Sequence, residues 1–142
     1  MTRHLLDVNV VIALIDPLHV HHERAHRWFA ARGADSWHTS PTVQNGVLRI
    51  VGHAKYPTSQ PTPVVMASVE SLVAHPGHVF LPDAVSLLDS AVNAERLLSS
   101  GQITDTYLLH LASSNGAQLA TFDARLVTSA VADGDAALFL IP

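Results

Sequence analysis

Apolar positions along the chain alternate between short blocks and stripes at three- and four-residue spacing, with turn residues between them. His4-Leu5-Leu6 reads as a short buried strand ending at Asp7. After a turn at Val8-Asn9, Val10 to Ile15 is apolar on all sides. Its composition allows a strand, and we read a short buried helix closed by Asp16-Pro17. From His19 to Arg32 the spacing of His21, Ala25, Trp28, Phe29 and Arg32 predicts a helix, with Gly33 as its stop. Ser36 to Thr39 is a plausible strand. Ser40 then caps a helix that has Pro41 as its first residue and Val43, Val47, Ile50 and Val51 as its buried stripe.

Residues 54–63 form a Pro-rich loop, and Thr62-Pro63 opens a helix that buries Val65, Val69, Leu72 and Val73. A strand is expected at His78 to Leu81, and a helix from Val85 to Ser99 stopped by Gly101. Thr104 is expected to cap the next helix, which buries Leu108, Leu111 and Ala112 and ends at Asn115-Gly116. Strands follow at Ala117 to Thr121 and Ala136 to Ile141. Strands that alternate with helices predict an α/β chain, a three-layer α/β/α sandwich around a mainly parallel sheet. In such sheets ligand chemistry gathers beyond the carboxyl ends of the strands.

Composition narrows the classes. A chain of 142 residues, 48% of them apolar, suits one domain over residues 1–142 with a substantial core. The absence of cysteine rules out disulfides, a thiol nucleophile and thiolate metal sites, and fits a reducing, cytoplasmic location. Asp7 and Asn9 interrupt the apolar N-terminal run, which therefore does not read as a signal peptide. No apolar run is long enough to span a membrane. A net charge of −4 lacks the basic footprint of a general nucleic-acid binder, so a nucleic-acid partner would need a few placed cations and a metal. Loops for P-loop nucleotide hydrolysis, dinucleotide binding and the G-x-S-x-G elbow are missing.

Three acids stand where surface solubility does not explain them. Asp7 ends the first strand, Asp123 ends a late strand, and Asp105 lies at a helix start that can reach the same rim. Each has a small polar neighbour: Asn9, Thr121 and Thr104. Clustered carboxylates repel unless a cation intervenes, and Mg2+ or Mn2+ suits all-oxygen ligands. The chemistry implied is metal-assisted phosphodiester hydrolysis.

His22-Glu23-Arg24-Ala25-His26 spells H-E-x-x-H, which could place two zinc ligands and a general base on one helix face. A zinc hydrolase needs a third ligand. The chain carries no acid from Ser36 to Val69, and Phe29 and Arg32 occupy the Gly and His places of the extended motif, so Asp35 is the remaining candidate. The plainer reading puts His21 on the packing stripe beside Trp28 and leaves His22 and His26 on a solvated or partner-facing flank.

The segments LLDVNVVIAL, the H-x-x-H…WF helix, SPTVQNGVLRIV, ITDTYLLHLA and LATFDARL, in that order from about residue 3 to 127, resemble the PIN domain, in particular VapC-type toxin ribonucleases of type II toxin–antitoxin systems. The resemblance implies Mg2+- or Mn2+-dependent cleavage of RNA, often tRNA or rRNA, a cognate antitoxin whose tail blocks the site, and a homodimer. By position Asp7, Asp105 and Asp123 match the metal-site acids, and Asn9 matches the polar residue after the first of them. Thr104 and Thr121 are expected to orient the carboxylates. Arg49 and Lys55, downstream on the same helix and its exit loop, are the candidate RNA phosphate contacts.

One position departs from the pattern. The family usually has Glu in a T-x-x-E-N-G-like context, and PTVQNG puts Gln44 there. Gln keeps the shape, loses the charge and gains an NH2 donor. Gln44 is thus a natural change that reduces or alters activity, an engineered knockdown, or an ordinary helix residue that a different alignment would pass over. Three functions remain open: a Mg-dependent endoribonuclease, a catalytically weakened PIN module that binds RNA or antitoxin, and a zinc hydrolase.

Overall fold

His4–Leu6 (β1) is buried along its whole length, as a central strand covered on both faces requires. The computed structural model describes residues 2–32 and 36–142, so the expected Gly33 stop and Asp35 lie outside the described residues. The sheet has the order β3-β2-β1-β4-β5, with β2 at Trp37–Thr39, β3 at His78–Phe80, β4 at Gln118–Thr121 and β5 at Leu138–Leu140. Every pairing is parallel. The helices are α1 (Val8–Ile15), α2 (His22–Ala31), α3 (Pro41–Val51), α4 (Thr62–Val73) and α5 (Ile103–Ser114).

The chain moves from β1 outward through β2 to β3, then returns past β1 to β4 and β5. Right-handed crossovers in opposite directions place α5 on the other face from the helices that precede it, which yields the expected α/β/α sandwich. α1 packs against α2, α3 and α4, while α5 packs on β1 and β4. Leu5, Leu6, Val10, Val43, Leu108 and Leu119 are fully buried between these layers. The reversal of direction at β1 is the topological switch point, where a crevice opens beyond the strand ends.

Local chemistry explains most of the boundaries. Ser40 caps α3 by accepting from the Val43 N–H at 3.3 Å, with Pro41 next to it. Gly116, at φ 64°, takes the left-handed turn after α5. α1 begins at once after β1, with Asp7 as N-cap, so no turn separates Val8 and Asn9 from the helix. α2 begins at His22, later than its spacing suggests. His19 and His21 belong to the turn before it, because the His19 ring Nδ1 accepts from the His21 N–H and holds that turn closed.

Further expectations are corrected. Val85 to Ser99 is not a helix but a run of turns with a single short 3-10 turn at Ala94–Arg96. No residue of it is fully buried, Leu88 is 95% and Leu98 82% exposed, and Ala91 to Asn93 pair with Ala130 to Ala132 through an antiparallel bridge at Val92 and Val131, which a helix would break. Its polar side chains bond backbone N–H groups locally, Asp89 accepting from Ser86 and Asn93 from Glu95, which competes with the helical ladder. Gly101 accordingly sits in a 3-10 turn leading into α5 and stops no helix. Thr104 lies inside the first turn of α5 and caps nothing; the helix enters from that preceding turn. Ile50 is 41% exposed, because the far side of α3 faces an open groove instead of the core.

Candidate active site

Parallel pairing sets Leu6 beside Ala120, so the residues just beyond both strands are brought together at the switch point. Asp7 is buried there, only 5% exposed. Its Oδ1 accepts from the Val8 N–H at 2.7 Å, and its Oδ2 accepts from the Thr121 hydroxyl at 2.7 Å. The Thr121 oxygen in turn accepts from the Asn9 amide at 3.2 Å and from the Asp123 N–H at 3.1 Å. Asn9 accepts from the Phe122 N–H at 3.3 Å, which ties α1 to the turn after β4. One fully buried hydroxyl therefore aims Asp7 and holds the backbone that carries Asp123.

Asp7, Asp105 and Asp123 line one groove of about 990 Å3. Burial pushes the Asp7 carboxyl above its ordinary range, with the Asp123 charge adding to it and the bonds from Thr121 and Val8 working against it. Asp105, half-buried in the first turn of α5, is pushed up to about 6 by burial and by the Asp7 and Asp123 charges. The three acids feel one another across open space: among the described residues, no three His, Asp or Glu side chains close into a preformed metal cage. The arrangement is an anionic hollow with oxygen donors at its rim.

Arg49 and Lys55 line the same groove, as do His19 and His53. Gln44 does not. Its amide donates to the Thr39 hydroxyl at 3.0 Å, and that oxygen is also 2.8 Å from His78 Nε2. Thr104 is exposed and lines a neighbouring groove with Thr42, Asn45 and Arg49. Gly46 lets α3 approach the start of α1: a Cβ there would lie 2.8 Å from Val8 Cγ2.

The H-E-x-x-H segment is used by the fold. His22 Nδ1 lies 2.7 Å from the Ala13 carbonyl and His26 Nε2 2.8 Å from the Leu14 carbonyl, so the two rings serve the C-terminal end of α1. Arg24 donates to the carbonyls of Ile141 and Pro142, at 2.8 and 2.9 Å, and lies over the Phe122 ring. Ala25 and Trp28 are the buried positions of α2, and His21 stacks on Phe122 instead of joining them.

The residues that sequence reasoning passed over are Asp16, Tyr56 and Thr58. Asp16 was visible only as a helix stop before Pro17. In the structure its Oδ2 accepts from the hydroxyls of Tyr56 and Thr58, forty and more positions away, and all three line the groove. Asp83 was passed over as well; it accepts from the Thr42 N–H and hydroxyl at the start of α3, at 3.0 and 2.8 Å.

Comparison with known proteins gives a consistent result. The PIN domain family model matches residues 4–131. Ribonuclease VapC39 of Mycobacterium tuberculosis is 39% identical over 130 residues, 90% of this chain and 94% of that protein. Ribonuclease VapC44 of the same species is 39% identical over 134 residues, 91% of this chain and 92% of that protein. The crystal structure of Mycobacterium tuberculosis VapC20, described as a sarcin-ricin loop cleaving toxin, superposes with a TM-score of 0.60 at 14% identity, covering 90% of this chain and 95% of that one. At that identity the match to VapC20 speaks for the fold.

Proposed function

The chain belongs to the PIN domain family, and from that premise we propose that it is a metal-dependent endoribonuclease, the toxin of a type II toxin–antitoxin pair. The observation that carries this reading is the convergence of Asp7, Asp105 and Asp123 on one groove, where burial and mutual repulsion raise Asp7 and Asp105. Carboxyl groups raised in this way are relieved by a divalent cation. Mg2+ and Mn2+ fit the donor set, since they take oxygen ligands, need few protein carboxylates and keep several waters. Asp7, Asp105 and Asp123 would hold such an ion, which would supply positive charge against the phosphodiester and make a water easier to ionise.

The chain's own residues do the rest on this reading. Thr121 favours the ionised form of Asp7 and fixes its direction, and Asn9 holds the Thr121 hydroxyl in place. Arg49 and Lys55 bind RNA phosphates along the groove. The substrate is tRNA or rRNA, the cognate antitoxin occludes the groove, the protein acts in the cytoplasm, and two copies form a homodimer. Among the described residues, no helix is long and apolar enough to cross a membrane.

The test is cleavage of cellular RNA in Mn2+ by the wild type, Asp7→Asn and Asp105→Asn. The wild type cleaves and chelator stops it; both variants fold and do not cleave. Full activity in either variant removes the acids from the mechanism. Ultracentrifugation reads the homodimer, and co-purification with a co-expressed candidate antitoxin reads that partner.

A second reading rests on Gln44, which adds no charge and bonds to Thr39. On this reading the protein is a weakened module that binds RNA or antitoxin. The two separate cleanly: the first expects Gln44→Glu to leave the cleavage rate unchanged, the second expects it to turn cleavage on. A zinc hydrolase at His22 and His26 has no third ligand among the described residues, and stoichiometric zinc in protein purified without a His tag would be needed to revive it.

A further inference from the structure

The groove that holds the three acids continues past them between two walls. One wall is the turn after α1, with Leu18, His19 and Val20; the other is the end of α3 and the Pro-rich loop, with Ile50, His53 and Tyr56. Leu18 is 77% and Val20 86% exposed, so two branched apolar side chains stand in solvent beside charged groups. Core packing does not account for them.

Asp16 ties the two walls together. Its Oδ1 accepts from the Leu18 N–H at 3.0 Å and its carbonyl from the His19 N–H at 3.0 Å. Its Oδ2 accepts from the Thr58 hydroxyl at 2.7 Å and from the Tyr56 hydroxyl. Burial acts to raise the Asp16 carboxyl, yet the bonds from Tyr56, Thr58 and Leu18 hold it below its ordinary range, so the ionised form is the one the fold uses. On the other side of the bond, burial and Asp16 push the Tyr56 phenol up to about 12, which keeps it a donor. One carboxylate thus sets the distance between walls that are separated by forty residues of chain.

Resting on the ribonuclease reading, we propose that this half of the groove seats one unpaired RNA base, and that Asp16 is the positioning residue that builds the seat. Three ring side chains, His19, His53 and Tyr56, line it together with the apolar side chains, and two cations, Arg49 and Lys55, line the same groove. An unpaired nucleotide has the matching pattern: a flat face that stacks on rings and apolar surface, joined to a phosphate that takes a cation. Arg49 and Lys55 would hold the phosphate of any nucleotide; the ring-lined half is what distinguishes one RNA segment from another.

The probes are short single-stranded oligoribonucleotides with one 2-aminopurine moved through each position, and a matched set with one abasic residue, titrated with the whole protein in Ca2+. Emission at one position falls on binding, and an abasic residue at that position weakens binding about tenfold, the scale of one lost base stack. In Mn2+ cleavage assays, Tyr56→Phe and Thr58→Val, which each remove one bond to Asp16 and keep the side-chain shape, raise KM several-fold and leave kcat within about twofold; Asp16→Asn does the same more strongly. Thermal melts establish which variants are folded, and the two loop variants carry the test if Asp16→Asn does not fold. Equal binding of every abasic strand overturns the base seat. A fall in kcat with unchanged KM overturns the positioning role. If the wild type cleaves no RNA, the ribonuclease reading fails by itself, and the emission and abasic titrations still decide whether a base is seated.

Discussion

Thr121→Val changes the shape of a fully buried side chain very little and removes the hydroxyl on which the site converges. Two losses follow. The Asp123 N–H and the Asn9 amide lose an acceptor, at 3.1 and 3.2 Å, which costs about 1 kcal/mol whatever the pH. The Asp7 carboxylate loses its donor at 2.7 Å while remaining buried; a hydrogen bond to a charged group contributes about 1.5–3 kcal/mol. That second loss depends on ionisation. Asp7 is already raised by burial, and the Thr121 bond is the largest influence that lowers it, so the variant's carboxyl sits higher still. Both chains share one unfolded value, so the variant's deficit opens as pH rises above the wild-type Asp7 pKa and closes as pH falls back through it. Urea titrations of the metal-free protein across a pH series that spans the Asp7 transition read both parts, one above it and one below. The expected deficit is about 3 kcal/mol at the higher pH and about 1 kcal/mol at the lower. Equal deficits at both would show that Asp7 is not the group Thr121 serves, and the network as drawn would be wrong.

Asp105→Asn removes a charge from a repelling set in which Asp105 titrates at about 6. The metal-free variant should melt higher than the wild type at pH 7.5, with the gain shrinking below about pH 6 and gone only below the ordinary carboxylate value of 3.8, where Asp105 is protonated in the folded and the unfolded chain alike; a gain that persists there would point to packing instead. Gly46→Ala would force a Cβ to within 2.8 Å of Val8 Cγ2, and the overpacking should cost about 1–3 kcal/mol in denaturant titrations and lower cleavage, because Val8 supplies the N–H that holds Asp7. Neutral stability would mean α3 and α1 slide apart freely. Arg49→Gln and Lys55→Gln should each flatten the dependence of log affinity for single-stranded RNA on log salt by about 0.7, and an unchanged slope removes that residue from the phosphate contacts.

The alternation of apolar blocks was enough to determine the parallel α/β/α architecture and to place Asp7 and Asp123 at strand ends, because strand ends, caps and buried stripes are set by neighbours within a turn or two. Ser40-Pro41 and Asn115-Gly116 are of that kind. The segment from Val85 to Ser99 had an apolar content that reads as helix, and only the folded molecule shows that its backbone pairs with Ala130 to Ala132 around Val92 while Leu88 and Leu98 stay in solvent and Asp89 and Asn93 accept backbone N–H groups locally. Gln44 departs for a local reason: the family resemblance gave it a place among the acids, and its amide donates instead to the Thr39 hydroxyl, 5 residues back at the end of β2. Asp16 is the plainest case. Beside Pro17 it reads as the end of a helix, and its bonds to Tyr56 and Thr58 exist because α1 and the loop after α3 come to rest on either side of one groove. Hydrogen bonds of that reach are chosen by how layers pack, and packing is a property of the whole chain that no window of its sequence contains.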